Sequence, residues 1–170
     1  MQKNFSQLEY RRADPADISA LIRLGLDSYG TLARYLTPDH LKKLESNLEK
    51  RESWEELLDI AKGFVCCSGD MVVGMAFLIP NGHPWDIFKS EWSYIRMVGV
   101  HTRFQGHGIA KALTGNCIAE ARALGEKVIA LHTSEMMPAA MHIYESLGFE
   151  RMYEIEKRLG MRYWMYHLEL

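Results

Sequence analysis

The spacing of apolar residues along the chain predicts both strands and helices. Apolar residues that alternate with polar ones, or that form short β-branched runs, indicate strands, whereas apolar residues three and four positions apart indicate helices. Strands are predicted at Leu8–Arg12, Phe64–Cys67, Met71–Ile79, Trp92–Val100, Lys127–Thr133 and Arg162–Leu170. Helices are predicted from Pro15 to about Tyr29, from Pro38 to about Glu49, from Ser53 to Gly63, from the Gly106–Gly108 turn to Ala123 and from Pro138 to Ser146.

Capping residues support several of these helix boundaries. Asp14 and Thr37 each precede a proline, which is a typical helix start because the polar side chain accepts a bond from an unpaired N–H. Ser53 and Glu56 have the spacing of a capping box. Gly63 is predicted to end the helix that this box begins.

The order of the elements predicts an α/β or α+β fold. One strand is followed by helices, then by three strands, and then by a helix, a strand, a helix and a strand. This order predicts a mixed sheet of about six or seven strands. The crossover from Trp92–Val100 to Lys127–Thr133 predicts a right-handed parallel pair. The segment Pro80–Glu91 is predicted to be an irregular connection.

Composition narrows the class of protein. The chain has 170 residues, of which 48% are hydrophobic and 25% charged, and its net charge is -2. A net negative charge argues against nucleic acid, and no apolar run approaches the roughly 20 residues that span a bilayer. The polar N-terminus lacks the pattern of a signal peptide, and the cysteines are not spaced as metal ligands. We therefore expect one cytoplasmic domain, residues 1–170, without a metal, a membrane span or a nucleic-acid partner.

The Gly-His-Gly turn before the fourth predicted helix is a candidate anion site. Glycines at a helix start leave unpaired N–H groups open to a phosphate. A dinucleotide fingerprint would need a third glycine where Lys111 stands and an acidic residue after the next strand, which instead ends in His132 and Thr133. A nucleoside-triphosphate loop would need Gly-Lys-Ser/Thr, which is absent. A third kind of phosphate loop remains.

Gln105, Gly108 and Ala110 surround this turn, and further along the chain Ala140, Tyr144, Glu145, Gly148 and Phe149 form the pattern A-x-x-x-Y-E-x-x-G-F. In both motifs the chain resembles the GNAT superfamily of acetyl-coenzyme A-dependent acetyltransferases, in which the first motif is the pyrophosphate loop. Two motifs about one helix and one strand apart are far more specific than either alone.

The resemblance implies a mostly antiparallel sheet with helices on both faces, acetyl-coenzyme A as co-substrate and no metal. It also implies that the strand before the turn runs beside the pantetheine and that an N–H near Val98 donates to the thioester carbonyl. The cofactor-binding residues are then Val98, Gly99, Val100, Gln105, Gly106, His107, Gly108, Ile109, Ala110 and Lys111. Gly99 within an apolar strand indicates either a bulge or close backbone approach, or simply relief of crowding.

The catalytic residue that the resemblance implies is Tyr144, as the general acid that protonates the departing thiolate; alternatively, this tyrosine only packs near the sulfur. Some family members have a catalytic glutamate in the central strand, where this chain has Tyr94. The base that neutralises the amine is therefore Glu91, His132 or water. Thr102 and Met137 replace a common proline and asparagine, and the latter change leaves one hydrogen bond to the pantetheine either missing or supplied by backbone.

The acceptor is an amine, either a small molecule or a peptide, and its identity is not evident from the sequence. The resemblance implies that residues 31–63 and the connection Pro80–Glu91, the acceptor segments, shape the acceptor pocket. Acidic and aromatic residues in or near these segments would suit a cationic amine, or the aromatic residues are simply core. These residues are Glu45, Asp86, Glu91, Tyr29, Tyr35, Trp54 and Trp85. Alternatives are transfer of another acyl group and a non-catalytic module that senses acyl-coenzyme A. A homodimer through the final strands is also compatible with the sequence.

Overall fold

The structure, a computed structural model, describes residues 7–170 as strands and helices close to those predicted. The prediction on the N-terminus falls mainly on residues 1–6, which lie outside the described residues. The strands are β1 Leu8–Arg12, β2 Lys62–Ser68, β3 Met71–Ile79, β4 Ser93–Val100, β5 Val128–Ser134, β6 Glu150–Arg158 and β7 Met161–Glu169. The helices are α1 Ile18–Gly30, α2 Pro38–Glu49, α3 Arg51–Ile60, α4 Ile109–Ala123 and α5 Pro138–Ser146.

Within the described residues the strands form one mixed sheet of seven strands in the order β1-β2-β3-β4-β5-β7-β6. Its neighbouring strands are antiparallel except β4 and β5, which are parallel. The predicted parallel crossover and the mostly antiparallel sheet are therefore confirmed. Strands β6 and β7 lie at one end of the sheet, and pairing of two copies through them stays a prediction.

Helices cover both faces of the sheet, as the resemblance implied. One apolar cluster joins α1, α2 and α3 to one face through residues such as Leu21, Leu48 and Trp54. A second cluster joins α4 and α5 to the other face through residues such as Leu113 and Tyr144. Alternate side chains of a strand point to opposite faces, so β4 contributes Tyr94 to the first cluster and Ile95 to the second. Each strand residue near the centre of the sheet therefore serves one of two distinct cores.

Two of the predicted helix starts are confirmed. The Asp14 side chain accepts a bond from the N–H of Ala16, and a short 3₁₀ turn then leads into α1. The Thr37 side chain accepts a bond from the N–H of His40 at the start of α2. In both cases a polar oxygen replaces the partner that the first helical turn lacks.

The predicted capping box at Ser53 is wrong, and so is the helix end at Gly63. Helix α3 begins at Arg51, two residues earlier, and its cap residue Lys50 has no side-chain cap bond. Gly63 lies within β2, where an added Cβ would be 2.7 Å from the Phe77 ring. The glycine is therefore required by packing against the neighbouring strand, not by a helix end.

Strand β6 was not predicted. Its residues are mostly polar and nearly all exposed, so the segment has no apolar alternation to reveal it. It pairs with β7 through a hairpin whose tip, Leu159 and Gly160, has positive φ at both residues (52° and 75°). Two consecutive residues with positive φ form the turn that matches the twist of paired strands. No turn was predicted here because leucine, at the first of these positions, rarely adopts a positive φ.

We expect Asp17, at the start of α1, to stabilise the fold in a pH-dependent manner. Its buried carboxylate accepts two bonds of 2.8 Å from Arg11 and one of 2.9 Å from the N–H of Asp14. The Arg11 bonds hold the pKa of Asp17 below its usual value, against the opposing effect of burial. Asp17→Asn should lower the free energy of unfolding by about 1–3 kcal/mol at pH 7.

A depressed carboxyl pKa contributes stability above the unfolded value of about 3.9, and this contribution is lost as pH falls through the lower folded value. The difference between wild type and Asp17→Asn in urea unfolding should therefore shrink below about pH 4. Asp39→Asn, in the exposed first turn of α2, is the matched control and should cost about 0.5 kcal/mol or less. An equal loss in both variants would mean that the ion pair between Arg11 and Asp17 adds nothing to the free energy of unfolding.

Candidate active site

The parting of β4 from β5 creates the opening at the centre of the sheet. The two strands pair only at Ser93 with Ile129 and at Tyr94 with Ala130. Beyond Tyr94, β5 continues its pairing with β7 on its other side. The backbone edge of β4 from Ile95 onward therefore faces an open wedge.

A bulge in β4 lies inside this wedge. On β3, Met75 and Phe77 are two residues apart, but their partners Gly99 and Arg96 are three apart, so β4 carries one extra residue. Met97, within the bulge, has φ of +56°. Bulges locally break the ladder and redirect side chains, and they are common next to active sites.

A cavity of about 720 Å³ occupies the wedge. Its walls come from the end of α1, from β4 and β5, from the glycine turn with the start of α4, and from the segment that leads into α5. The predicted site residues that line it are Val98, Gly99, Val100, Gln105, Gly106, Gly108, Ile109, Ala110 and Tyr144. Thus a single cavity brings together both sequence motifs.

Two of the predicted cofactor-binding residues do not line the cavity. The imidazole of His107 lies within 3.0 Å of the carbonyl oxygens of Phe104 and Gln105 and so turns back on its own loop. Lys111 is exposed on the first turn of α4, outside the lining. A contact with the cofactor through these two side chains therefore has no support in the geometry.

The glycine turn is open toward the cavity. Gly106 and Gly108 have φ of +80° and +75°, a region that other residues adopt only with strain. A Cβ at either position would meet no heavy atom within 4 Å, so the glycines leave free space beside the backbone. Gly108 is the cap residue of α4 and makes no side-chain cap bond. The N–H groups of the first turn of α4 are therefore available to an anion.

Gly99 relieves crowding, the second of its two alternatives. A Cβ there would lie 3.0 Å from Met75 and 3.1 Å from the Ser28 hydroxyl oxygen. That oxygen accepts a 3.2 Å bond from the N–H of Val100, so α1 approaches β4 closely. The expected bulge lies two residues earlier, at Met97.

Tyr144 reaches the cavity from α5 and is only 7% exposed. In the described part of the chain its hydroxyl has no hydrogen-bond partner, so the proton is not committed elsewhere. Burial raises the pKa of Tyr144 above its ordinary value of about 10, with a further contribution from Tyr29. The phenol is therefore protonated throughout the physiological pH range.

A second tyrosine lies across the cavity from α1. The Tyr29 hydroxyl donates a 3.1 Å bond to the carbonyl oxygen of Val98 in the bulge. Burial raises the pKa of Tyr29 as well. Tyr29 therefore holds the bulged strand from the side of α1, and sequence reasoning gave it only an acceptor-pocket role.

The structure distinguishes between the candidate bases Glu91, His132 and water. Glu91 is exposed and does not line the cavity. His132 lines it, but burial lowers its pKa to about 4, and the positive charges of Arg158 and Arg96 contribute to the same effect. A neutral imidazole with so low a pKa is a weak base for an amine. Of the three alternatives, water fits this geometry best.

The expected acidic acceptor pocket is wrong. Of the predicted acceptor residues, only Tyr29 and Trp85 line the cavity. Glu45 is exposed on α2, and Asp86 forms an ion pair with Arg158. Trp54 is core, with its indole N–H donating to the carbonyl of Leu48, and Tyr35 is 41% exposed. These residues are near in sequence to the acceptor segments, but their own packing directs them elsewhere.

Sequence reasoning missed the two arginines that line the cavity, Arg34 after α1 and Arg96 in β4. A signal for Arg96 was present, because it is the charged residue in the otherwise uncharged strand Ser93–Val100. Charged residues are rarely placed in buried strands unless they are paired or functional. Tyr163, on β7, is a further lining residue that was not predicted.

Solved structures share this architecture over nearly the whole chain. PaiA N-acetyltransferase from Thermoplasma acidophilum, in complex with coenzyme A, superposes with a TM-score of 0.77 at 11% identity, over 96% of this chain and 99% of that one. YncA from Salmonella typhimurium, with its cofactor acetyl-CoA, has a TM-score of 0.71 at 22% identity, over 96% and 94% of the two chains. At such identities the likeness concerns the fold, which is that of an acetyltransferase.

The family model described as "Acetyltransferase (GNAT) family" matches residues 30–149, well over half of the chain. The chain therefore belongs to the GNAT acetyltransferase family, and the resemblance drawn from its two motifs is confirmed.

Curated relatives are similar over part of their length. Human N-acetyltransferase 8B is 32% identical over 88 residues, which are 52% of this chain and 38% of that protein. N-acetylaspartate synthetase of Danio rerio is 40% identical over 62 residues, which are 36% and 22% of the two chains. The chain thus spans less than half the length of these two relatives.

Neither a metal-binding cluster nor a membrane-spanning helix is present in the described residues. No three His, Cys, Asp or Glu side chains between residues 7 and 170 are grouped so as to hold a metal ion. No helix in that range has the length and apolar character needed to cross a membrane.

We expect His132 to stay neutral down to about pH 5. Its imidazole should titrate near pH 4 in an NMR titration of the ring signals, assigned with His132→Gln. Because the unfolded imidazole titrates near 6.5, the unfolded chain binds more protons between these values, and the free energy of unfolding should fall as pH drops through this window. A midpoint near 6.5 would contradict the burial argument and restore His132 as a base.

Proposed function

We propose that the chain transfers an acetyl group from acetyl-coenzyme A to an amine by direct attack, with Tyr144 as general acid. The observation that carries this proposal is the coincidence of a parted β4/β5 pair and an uncapped glycine turn in one cavity. The first accommodates an extended chain beside a strand, and the second offers backbone N–H groups to phosphates.

The residues present fit coenzyme A. The pyrophosphate would lie at the N–H groups of the Gly106–Gly108 turn and of Ile109 and Ala110, where no side chain intrudes. The pantetheine would lie along Met97–Val100, whose edge is not paired with β5. When bound, the acetyl thioester supplies an activated acyl group. Met137, at the entrance to α5, supplies no amide to the pantetheine, so backbone groups of β4 carry that interaction.

The bulge at Met97 and Val98 supports a backbone donor to the thioester oxygen. The bulge takes these peptide groups out of the ladder with β3, and the Tyr29 bond to the Val98 carbonyl fixes the plane of the Val98–Gly99 peptide, next to the N–H of Val98. A fixed N–H dipole costs no reorganisation when charge develops on the oxygen, which is the basis of oxyanion stabilisation.

Tyr144 then gives its proton to the departing sulfur. Its raised pKa ensures that the proton is present at neutral pH, and its unpartnered hydroxyl is free to turn toward the sulfur. Removal of the amine proton falls to water in the cavity, because Glu91 lies outside it and His132 is a weak base. We also propose a cytoplasmic location, which the free cysteines Cys66, Cys67 and Cys117 support.

Gly108→Glu should abolish coenzyme A binding while the fold is kept. The substitution places bulk and negative charge beside the pyrophosphate, and the positive φ adds backbone strain. Acetyl-coenzyme A at about 100 times its dissociation constant should stabilise wild type by about 2.7 kcal/mol, and calorimetry should detect no binding to the variant.

The matched control is Gly125→Glu. Gly125 lies at the other end of α4 with the same φ of +75° and no neighbour within 4 Å of an added Cβ, but it is outside the cavity. It should suffer the same strain and keep its affinity for coenzyme A. Equal affinity for coenzyme A in both variants would mean that the Gly106–Gly108 turn does not bind the pyrophosphate.

Tyr144→Phe should lower kcat by about 10²-fold, the lower end for general acid–base catalysis, with little change in the KM for acetyl-coenzyme A. The change removes only the hydroxyl, which has no hydrogen-bond partner among residues 7–170. Pre-steady-state kinetics of the transfer step would isolate the chemistry. A rise in KM at constant kcat would instead make Tyr144 a binding contact.

Tyr29→Phe gives the comparison within the same cavity. It removes the bond to the Val98 carbonyl and leaves the proton donor in place, so its effect should be that of a loosened bulge. If the two variants lose the same activity, the hydroxyl of Tyr144 has no distinct role as an acid.

A further inference from the structure

Arg96 is a cation without a counter-ion inside the cavity. Its guanidinium lies over the Trp85 ring, 3.8 Å from the centroid. In the described part of the chain no carboxylate lies within ion-pair distance of it. The Asp86 carboxylate acts on Arg96 from further away, but it already pairs with Arg158. Two guanidinium groups therefore share one carboxylate, and one positive charge is left over.

The surroundings of Arg96 leave this charge only partly solvated. Burial lowers the pKa of the Arg96 guanidinium, and the phenols of Tyr94 and Tyr29 and the carboxylate of Asp86 only partly oppose this effect. Arg96 is half-buried, and a partly desolvated charge is costly unless it is paired and hydrogen-bonded. Stacking on Trp85 compensates in part, but in the described part of the chain the N–H donors of the fork have no side-chain or backbone acceptor.

The charged side chains in the described lining of the cavity are positive. Among the described residues that line the cavity there is no aspartate or glutamate, whereas Arg34 adds a second cation. Arg34 is exposed and stacks on Tyr35, which places it toward solvent. The cavity thus offers a positive charge at depth and another nearer the surface.

Arg96 lies on the acceptor side of the site. Tyr94 and Arg96 are two residues apart in β4, before the bulge, and so share the face that α1 covers. The glycine turn and Tyr144 belong to the α4 and α5 face, to which Ile95 points. Arg96 is therefore on the opposite side of the strand from the proposed pyrophosphate position.

We propose that the acceptor carries a carboxylate close to its reactive amine, as an α-amino acid does, and that Arg96 binds this carboxylate. The inference rests on the proposed function, because it names the acceptor class for the same site. A guanidinium fork matches a carboxylate with two parallel hydrogen bonds. The rest of the acceptor would contact the apolar and aromatic groups Trp85, Tyr163 and Met136.

Binding of the carboxylate to Arg96 also bears on the step for which the described residues offer no evident base. A free carboxylate beside an amine stabilises the ammonium form, and an arginine paired with that carboxylate offsets this effect. Arg96 therefore favours the neutral, attacking form of an acceptor that carries a carboxylate.

The test compares acceptors that differ only in the carboxylate. Pools of α-amino acids, of their amides and of the corresponding decarboxylated amines are assayed with acetyl-coenzyme A, and the products are read by mass. A representative set is phenylalanine, phenylalaninamide and phenethylamine. We expect the carboxylate-bearing acceptors to have kcat/KM about 10- to 100-fold higher than their partners, as for a hydrogen-bonded charged group.

Variants at Arg96 identify the group responsible. Arg96→Gln should lower kcat/KM for the amino acid by about 10- to 100-fold, affect the decarboxylated amine far less, and keep the affinity for coenzyme A. Arg96→Lys should recover part of the loss, because it keeps the charge without the fork. Arg162→Gln is the matched control, since Arg162 also stacks on a tryptophan, Trp164, but lies outside the cavity.

A binding readout removes the dependence on turnover. With coenzyme A present, calorimetry should show wild type binding N-acetylphenylalanine more tightly than N-acetylphenethylamine, and Arg96→Gln should abolish the difference. Equal use of acceptors with and without the carboxylate, or a uniform loss in Arg96→Gln, would overturn the proposal. Intact coenzyme A binding with acetylation only of carboxylate-free amines would also overturn it, but would leave the proposed function standing. Failure to bind coenzyme A would refute both.

Discussion

The rest of the active site depends on the short pairing between β4 and β5. Two parallel strands that stayed together would close the sheet and satisfy their backbone groups mutually. Here the pairing stops after Tyr94, and β5 is retained by its antiparallel pairing with β7. The open edge is stabilised from outside the sheet instead, by Tyr29 and Ser28 of α1. The cavity is therefore a property of the sheet topology, and the side chains only refine it.

The electrostatic character of the site follows from what lines this opening. The side toward α4 presents backbone N–H groups and no acidic side chain, and the side toward α1 presents arginines. Both ends therefore favour negative charge, which suits a phosphate at one end and a carboxylate at the other. The tyrosines between them keep their protons because burial raises their pKa values.

The sequence was sufficient for the parts of the fold with a strong local signal. Apolar alternation revealed the buried strands, and Asp14 and Thr37 revealed helix starts, because each relies on neighbours in sequence. Strand β6 was not predicted because its exposed residues need no apolar pattern. Gly63 was wrongly predicted to end a helix because its contact with Phe77 is made across the sheet and not between neighbours in sequence. The glycine turn could be located from the sequence, because an open turn with positive φ requires glycine. The acceptor residues could not, because the direction in which Glu45, Trp54 or Arg96 points is decided by tertiary packing.

The two bonds from α1 to β4 have a consequence for how this sequence can vary. Ser28 and Tyr29 fix the strand along which we propose that coenzyme A binds, and α1 is itself positioned by the core it shares with α2 and α3, where an added Cβ on Gly25 would be 3.3 Å from Leu48 and 3.4 Å from Trp54. A change of volume at those distant positions therefore acts on the backbone of β4. Under the proposed function, evolutionary drift in this core is therefore limited by turnover as well as by folding.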